Sequence, residues 1–219
     1  MKNSTFTFKQ QTNISLREKV TQDLRNAILN GHLKPGDRIK ELEISEQMGV
    51  SRGPIREAIR QLEREGLLIS FPYKETLVAD LNAEEVKDVL IPIRYHLEWF
   101  VVRKYMSQMD DSLFTELQSI IDQMKTSVAS GRIHELVELD IMFHQTILGL
   151  AQERTVFLTW QSILNQIRLY FTKNVLLYNA ETVVSDHENL LAAFKSGNIE
   201  EIQQEMMQHL CGEDIILFN

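Results

Sequence analysis

The sequence predicts a mainly α protein in two parts: three helices and a β-hairpin, followed by an all-α antiparallel bundle. Three observations carry this. Helical periodicity runs through almost the whole chain and gives way to two short apolar runs only between 67 and 79. From Asn82 onward only helical patterns and short breaks remain. The charge is split as well. Residues 1–80 hold 13 Lys and Arg against 11 Asp and Glu, and residues 81–219 hold 10 against 20, within a net charge of −8. Such asymmetry between halves points to two units with different partners.

The elements follow in order. Residues 1–13 are polar and read as a flexible tail. Ser15 with Glu18 forms a capping box for a first helix, whose apolar face is Leu16, Val20, Leu24, Ala27 and Ile28. Gly31 ends it, and Pro35-Gly36 makes a turn. A second helix spans roughly 41–48 and breaks at Gly49. A third is placed near Pro54, with Gly53 as its cap and Ile55, Ala58, Ile59 and Leu62 as its buried stripe. The runs 67–71 and 76–79, separated by Pro72-Tyr73-Lys74-Glu75, read as a hairpin. Three helices and a hairpin within some 65 residues is the order of a winged helix-turn-helix. The domains are therefore set at 14–80 for this unit and 81–219 for the bundle, with bundle helices at 82–107, 111–129, 132–150, 153–178, 181–195 and 199–216.

Composition narrows the function classes. A 43% hydrophobic content supplies a core and argues against global disorder. One cysteine, Cys211, excludes an intrachain disulfide and fits a reducing compartment. The N-terminus lacks the apolar stretch of a signal peptide, and no run is long enough to span a membrane, so a cytoplasmic location is expected. The acidic second half would be repelled by phosphates, which leaves the first half as the nucleic-acid face.

Arg52, Arg56, Arg60 and Arg64 recur opposite the apolar stripe of the third helix. A recognition helix places its N-terminal residues on base edges and phosphates, so Arg52 and Arg56 are assigned to DNA. Arg60 and Arg64 are read instead as a solvated face paired with Glu57, Glu63 and Glu65. The stretch from Gly49 through Ser51-Arg52-Gly53-Pro54-Ile55-Arg56-Glu57-Ala58-Ile59, then Leu62-Glu63 and Glu65-Gly66-Leu67, resembles the DNA-binding domain of the GntR family, with its G-V-S-R-T-P-V-R-E-A-L and L-x-x-E-G-L. Gly31-x-Leu33-x-Pro35-Gly36 matches that family's G-x-L-x-P-G turn. The resemblance implies DNA contact by Ser51, Arg52, Gly53, Pro54 and Arg56. Gly53 stands where Thr is usual, which removes a hydroxyl. The hairpin tip lacks the usual Gly, so Lys74 is assigned to DNA through its charge.

In the second half, Asp140 and His144 lie four apart, one turn apart on one helix face. His187 comes early in the next-to-last helix and His209 late in the last, so antiparallel packing could bring them level. Three imidazoles and one carboxylate suit Zn²⁺, Ni²⁺ or Mn²⁺, although histidines in helices are more often surface or core residues. Here too there is a resemblance, to the FCD ligand-binding domain of the FadR subfamily. It lies in Asp140-x-x-Phe143-His144, in His187 followed by Leu190, and in His209-Leu210. It implies that Asp140, His144, His187 and His209 bind a divalent metal ion. Arg94-x-x-Leu97-Glu98 resembles the R-x-x-L-E of the domain's first helix and implies that Arg94 faces a pocket and takes an effector carboxylate. Its alternative is a surface arginine paired with Glu98. Arg168 is a second effector candidate. Phe157, Trp160, Ile163, Leu164 and Ile167 are read as core. These readings converge on a homodimeric one-component regulator that binds a palindromic double-stranded operator and a small organic acid. The rival is a metal-dependent hydrolase or lyase attached to a DNA-binding domain, for which no further general base or nucleophile stands out.

Overall fold

The computed structural model describes residues 15–72, 74–174 and 179–212. The polar tail, Tyr73 at the hairpin tip and the ends proposed for the 153–178 and 199–216 helices lie outside them.

Helix α1 (Leu16–Leu29) starts at Ser15, whose side chain accepts from Glu18 N. Helix α2 (Glu41–Met48) ends on Gly49 in the left-handed region, φ +64°, where glycine carries no Cβ penalty. That turn leads into helix α3 (Arg52–Arg64). The start of α3 corrects the sequence reading. Ser51, not Gly53, is the N-cap, and Pro54 is the third helical residue. The first-turn amides have no intrahelical acceptors, so a proline is tolerated there and need not open the helix. Arg52 is therefore inside α3 rather than before it.

The two strands of the hairpin, β2 (Leu68–Phe71) and β3 (Glu75–Val78), pair antiparallel with Ile69 opposite Leu77. A third strand, β1 (Arg38–Ile39), lies on the other side of β3, giving the order β1-β3-β2. Two residues are too few for a period-two pattern, so this strand left no signal in the sequence. Val20, Leu24, Ile28, Ile55, Ala58 and Leu62 form the core beneath the sheet, as their spacing predicts.

The bundle opens with α4 (Ala83–Glu85), capped by Asn82, whose side chain accepts from Glu85 N at 2.6 Å. A π-helical turn (Val86–Leu90) follows and leads without a break into α5 (Ile91–Tyr105). The expected helix is thus present, with a widened turn. Pro92 supplies the reason: it has no N–H, and its ring excludes the carbonyl four residues back, so the ladder relaxes there. Helices α6 (Asp111–Ala129), α7 (Ile133–Leu148), α8 (Arg154–Asn174), α9 (Ala180–Ser196) and α10 (Ile199–Cys211) complete the bundle. Helix α6 packs on α7 and α9, and α10 packs on α5 and α9. Helix α8 packs on α5 and α7 and also meets α1, and its Leu169 is buried in the core of the N-terminal unit. Among the described residues no helix is long and apolar enough to cross a membrane.

The candidate metal centre and the DNA-facing helix

Helix α7 carries Asp140 and His144 one turn apart, on the same side that buries Phe143 and Ile147 in the bundle core. Helices α9 and α10 bring His187 and His209 beside them. One donor atom from each of the four residues lies within 4.8 Å of all the others. His144, His187 and His209 are at most 5% exposed. Individual separations are 3.0 Å between the Nε2 atoms of His144 and His209. They are 3.4 Å from His187 Nε2 to Asp140 Oδ1 and 3.8 Å from His144 Nε2 to the same oxygen. Ligand bonds of about 2.1 Å put donors about 3.0 Å apart at right angles, about 3.4 Å apart in a tetrahedron and about 4.2 Å apart when opposite. These three separations fall in that range.

Tautomers make the fit chemical as well as spatial. His144 Nδ1 lies 2.7 Å from Glu98 Oε2, and His187 Nδ1 lies 2.7 Å from the Val183 carbonyl. An ionised carboxylate and a carbonyl only accept, so both Nδ1 atoms donate, and in the neutral tautomer of each ring Nε2 presents a lone pair. His187 Nε2 is buried without a hydrogen-bond partner among the described residues and faces Asp140, an acceptor. Facing lone pairs in a buried site are costly unless a cation sits among them. The donor set therefore fits a divalent ion.

The surrounding charges are balanced for that arrangement. Burial alone would raise the Glu98 pKa. His144 and Arg94 at its oxygens, with hydrogen bonds from His144 and Trp160, hold it down at about 2. Burial opposes ionisation of Asp140 too, yet the Arg94 guanidinium keeps its pKa well below the usual carboxylate range. Burial, outweighing the carboxylates, lowers the His144 pKa. Burial together with the neighbouring histidines lowers that of His209 further. Neutral imidazoles and an ionised aspartate are the protonation states a metal requires.

Glu98 is the residue whose part the sequence did not reveal. It lies 1% exposed and accepts from Arg94 Nε at 2.9 Å, Trp160 Nε1 at 2.8 Å and His144 Nδ1. It fixes the tautomer of His144 from outside the donor set. Trp160, read as core, is core and a hydrogen-bond donor at once. Arg94 combines its two alternatives. It is paired to Glu98, but it is buried, reaches Asp140 Oδ2 at 3.5 Å and lines a cavity of about 60 Å³ together with Asp140, His187 and His209.

Arg168 is not brought to this cavity. It pairs with Glu138 at 3.1 Å and lines a separate, open cleft between α8 and the N-terminal unit, beside Arg25 and Glu65. Glu65 corrects another expectation. Instead of serving a solvated face of α3, it takes Arg25 of α1 through two bonds of 2.8 and 2.6 Å and Asn165 of α8 at 3.1 Å. At Gly66, φ +71°, a Cβ would lie 2.0 Å from the Gln166 side chain, so the end of α3 is pressed against α8.

At the other end of α3, Ser51, Arg52, Gly53 and Arg56 are exposed. Ser51 makes no side-chain capping bond. The guanidiniums of Arg52 and Arg56 both reach one oxygen, Oε2 of Glu41, at 2.7 and 2.9 Å. Lys74 is exposed at the hairpin turn, its N–H donating to the Phe71 carbonyl.

Comparison with known proteins identifies both units of the chain. The model of the bacterial regulatory proteins of the gntR family matches residues 16–78, and the FCD domain model matches residues 89–211. The HTH-type transcriptional regulator YdhC of Bacillus subtilis is 29% identical over 193 residues, 85% of this chain and 84% of that protein. The HTH-type transcriptional repressor RspR of Escherichia coli is 25% identical over 202 residues, 89% of this chain and 86% of that one. The fold resembles a GntR transcriptional regulator from Rhodococcus sp. RHA1, with a TM-score of 0.81 at 22% identity over 94% of this chain and all of that one. It also resembles McbR/YncC of Escherichia coli, with a TM-score of 0.75 at 22% identity over 90% and 94%. The chain belongs to the GntR family of bacterial regulatory proteins and carries an FCD domain: it is a DNA-binding transcriptional regulator.

Proposed function

We propose that this regulator binds a palindromic operator as a homodimer and that a small organic acid, held at a divalent metal in the helical unit, modulates its DNA affinity. The observation that carries this reading is the buried donor set of Asp140, His144, His187 and His209 beside a cavity lined by Arg94. When bound, the ion supplies a positive centre with open positions for a carboxylate. The chain's own residues do the rest. Glu98 orients His144, the Val183 carbonyl orients His187, and Arg94 adds a second cation at the cavity wall.

On the DNA side, Ser51, Arg52, Gly53, Pro54 and Arg56 at the start of α3, with Lys74 at the hairpin, form the contact surface. A single recognition helix reads only a few base pairs, so two-fold pairing of chains on a two-fold operator supplies affinity and register. Helix α8 joins the two sites. Its Trp160 holds Glu98, its Phe171 lines the cavity, its Asn165 holds Glu65, and its Leu169 is buried in the N-terminal core. A ligand that binds one setting of α8 better than another shifts the N-terminal units of the dimer.

The test is operator binding by the full chain, loaded with Zn²⁺, Ni²⁺ or Mn²⁺ or stripped by chelation, with and without candidate acids. The reading requires that acids change operator affinity only when metal is present. A response that survives complete metal removal would contradict it.

A further inference from the structure

Resting on that reading of the site, we infer that the acid is a short aliphatic monocarboxylate rather than a hydroxylated acid or a polyacid. The cavity beside the donor set has few polar groups. Arg94, Asp140, Asp186, His187 and His209 supply them, and the rest of the described wall is Ile91, Leu136, Val137, Phe171, Val183 and Leu210. Among the described residues the lining holds no hydroxyl or amide side chain. A ligand hydroxyl against the apolar part of that wall would lose its water without gaining a partner. Charge excludes the polyacids. Asp140 and Asp186 already stand in the lining, and Asp186 is itself engaged, so a second or third ligand carboxylate would meet like charge.

The experiment titrates the Zn²⁺-loaded full chain with butanoate, 2-methylpropanoate, gluconate and citrate, read by calorimetry. The two aliphatic acids should bind at least about 10-fold more tightly than the other two. Val137→Thr places a hydroxyl in the apolar wall at nearly constant volume and should weaken butanoate several-fold while gluconate gains. If that variant does not fold, the ranking on the unaltered chain decides. Gluconate or citrate binding as tightly as butanoate would overturn the ligand class and leave the metal site standing. If none of the four acids binds, or if binding persists unchanged in His144→Ala, the effector reading itself fails.

An independent observation assigns a role to Glu41, which we propose is a specificity-determining residue for DNA. One oxygen of its carboxylate holds both arginines at the reading end of α3, at 2.7 and 2.9 Å. Free guanidiniums swing to any phosphate. Two guanidiniums tied to one carboxylate present less net charge to a random backbone and keep their forks at one angle for base edges. Burial opposes ionisation of Glu41, but the two arginines together lower its pKa, so the clamp is charged at neutral pH.

Glu41→Gln should therefore raise affinity for random duplex DNA and steepen its salt dependence by about one counterion. The ratio of operator to random affinity, with the operator selected from random DNA by the unaltered chain, should fall about 10-fold. Glu41 also sits in the first turn of α2, where it would support the helix. If Glu41→Gln lowers both affinities in parallel, Glu41 serves only that helix and the proposal fails. An unchanged ratio also overturns it. Glu41→Asp, which keeps the charge, should retain most of the discrimination.

Discussion

Two of the molecule's arginine–carboxylate clusters, one at the surface and one in the interior, show by their contrast what burial does to the same chemistry. Arg52 and Arg56 share Glu41 at the surface, each about half exposed. Arg94 shares Glu98 and Asp140 in the bundle interior at 3% side-chain exposure or less on Arg94 and Glu98. An exposed pair is screened by water and contributes little to stability, so it can serve DNA recognition without being needed by the fold. A buried pair is costly to break because the remaining charge has nowhere to go. The surface cluster is set to face DNA, and the interior cluster is set to hold the bundle.

The largest expected effect follows from breaking the interior cluster. Glu98→Ala strands Arg94, frees the His144 tautomer and removes the acceptor of Trp160. A loss of about 3–5 kcal/mol in unfolding free energy is expected, measured by denaturant melts, together with a fall in metal affinity. A loss below about 1 kcal/mol would mean that the interior pair behaves like the surface one. Next in size is metal removal. A chelator should lower the melting temperature of the full chain, because the ion ties α7, α9 and α10 and binds only the folded state. His144→Ala should abolish that difference.

Acidity sharpens the comparison further. In the metal-free chain His144 and His209 have folded pKa values below the ordinary 6.5. The unfolded chain therefore takes up protons first as pH falls below 6.5, and stability drops. It drops again through the carboxylate range, because Asp140 and Glu98 are held below their ordinary values. Thermal melts from about pH 7.5 down to about pH 5.5 should show the first loss, and it should be smaller in His209→Gln. At the surface, Arg52→Ala and Arg56→Ala should each cost about 1–3 kcal/mol in discrimination for the operator with the melting temperature nearly unchanged. The smallest effect should be that of Glu41→Gln on stability, within about 1 kcal/mol, since the pairs it removes are solvated.

How far the sequence reveals this depends on the range of the interactions. The helices of the bundle and the hairpin follow from periodicity and from side-chain caps such as Ser15, Asn82 and Asn198, which act within three residues. The grouping of Asp140 with His144 is visible for the same reason. Bringing His187 and His209 to them depends on how three helices pack, and there the resemblance to a known family, not spacing, supplied the set. Glu98 and Trp160 are 62 residues apart, and their bond had no local signal. The same is true of Glu65, which looks like part of a charged helix face but is held by Arg25 and Asn165. Strand β1 was too short to register, and the π turn before Pro92 is a local accommodation that a period of 3.6 does not show.

If the buried donor set holds a divalent ion through which the helical unit is read, the metal content of the full chain after exhaustive dialysis must depend on His144. About one divalent ion per unaltered chain and a substoichiometric amount in His144→Ala are expected. Equal metal content in the two proteins, or an unaltered chain that is purified without metal and takes up none from Zn²⁺, Ni²⁺ or Mn²⁺ solutions, would contradict that reading.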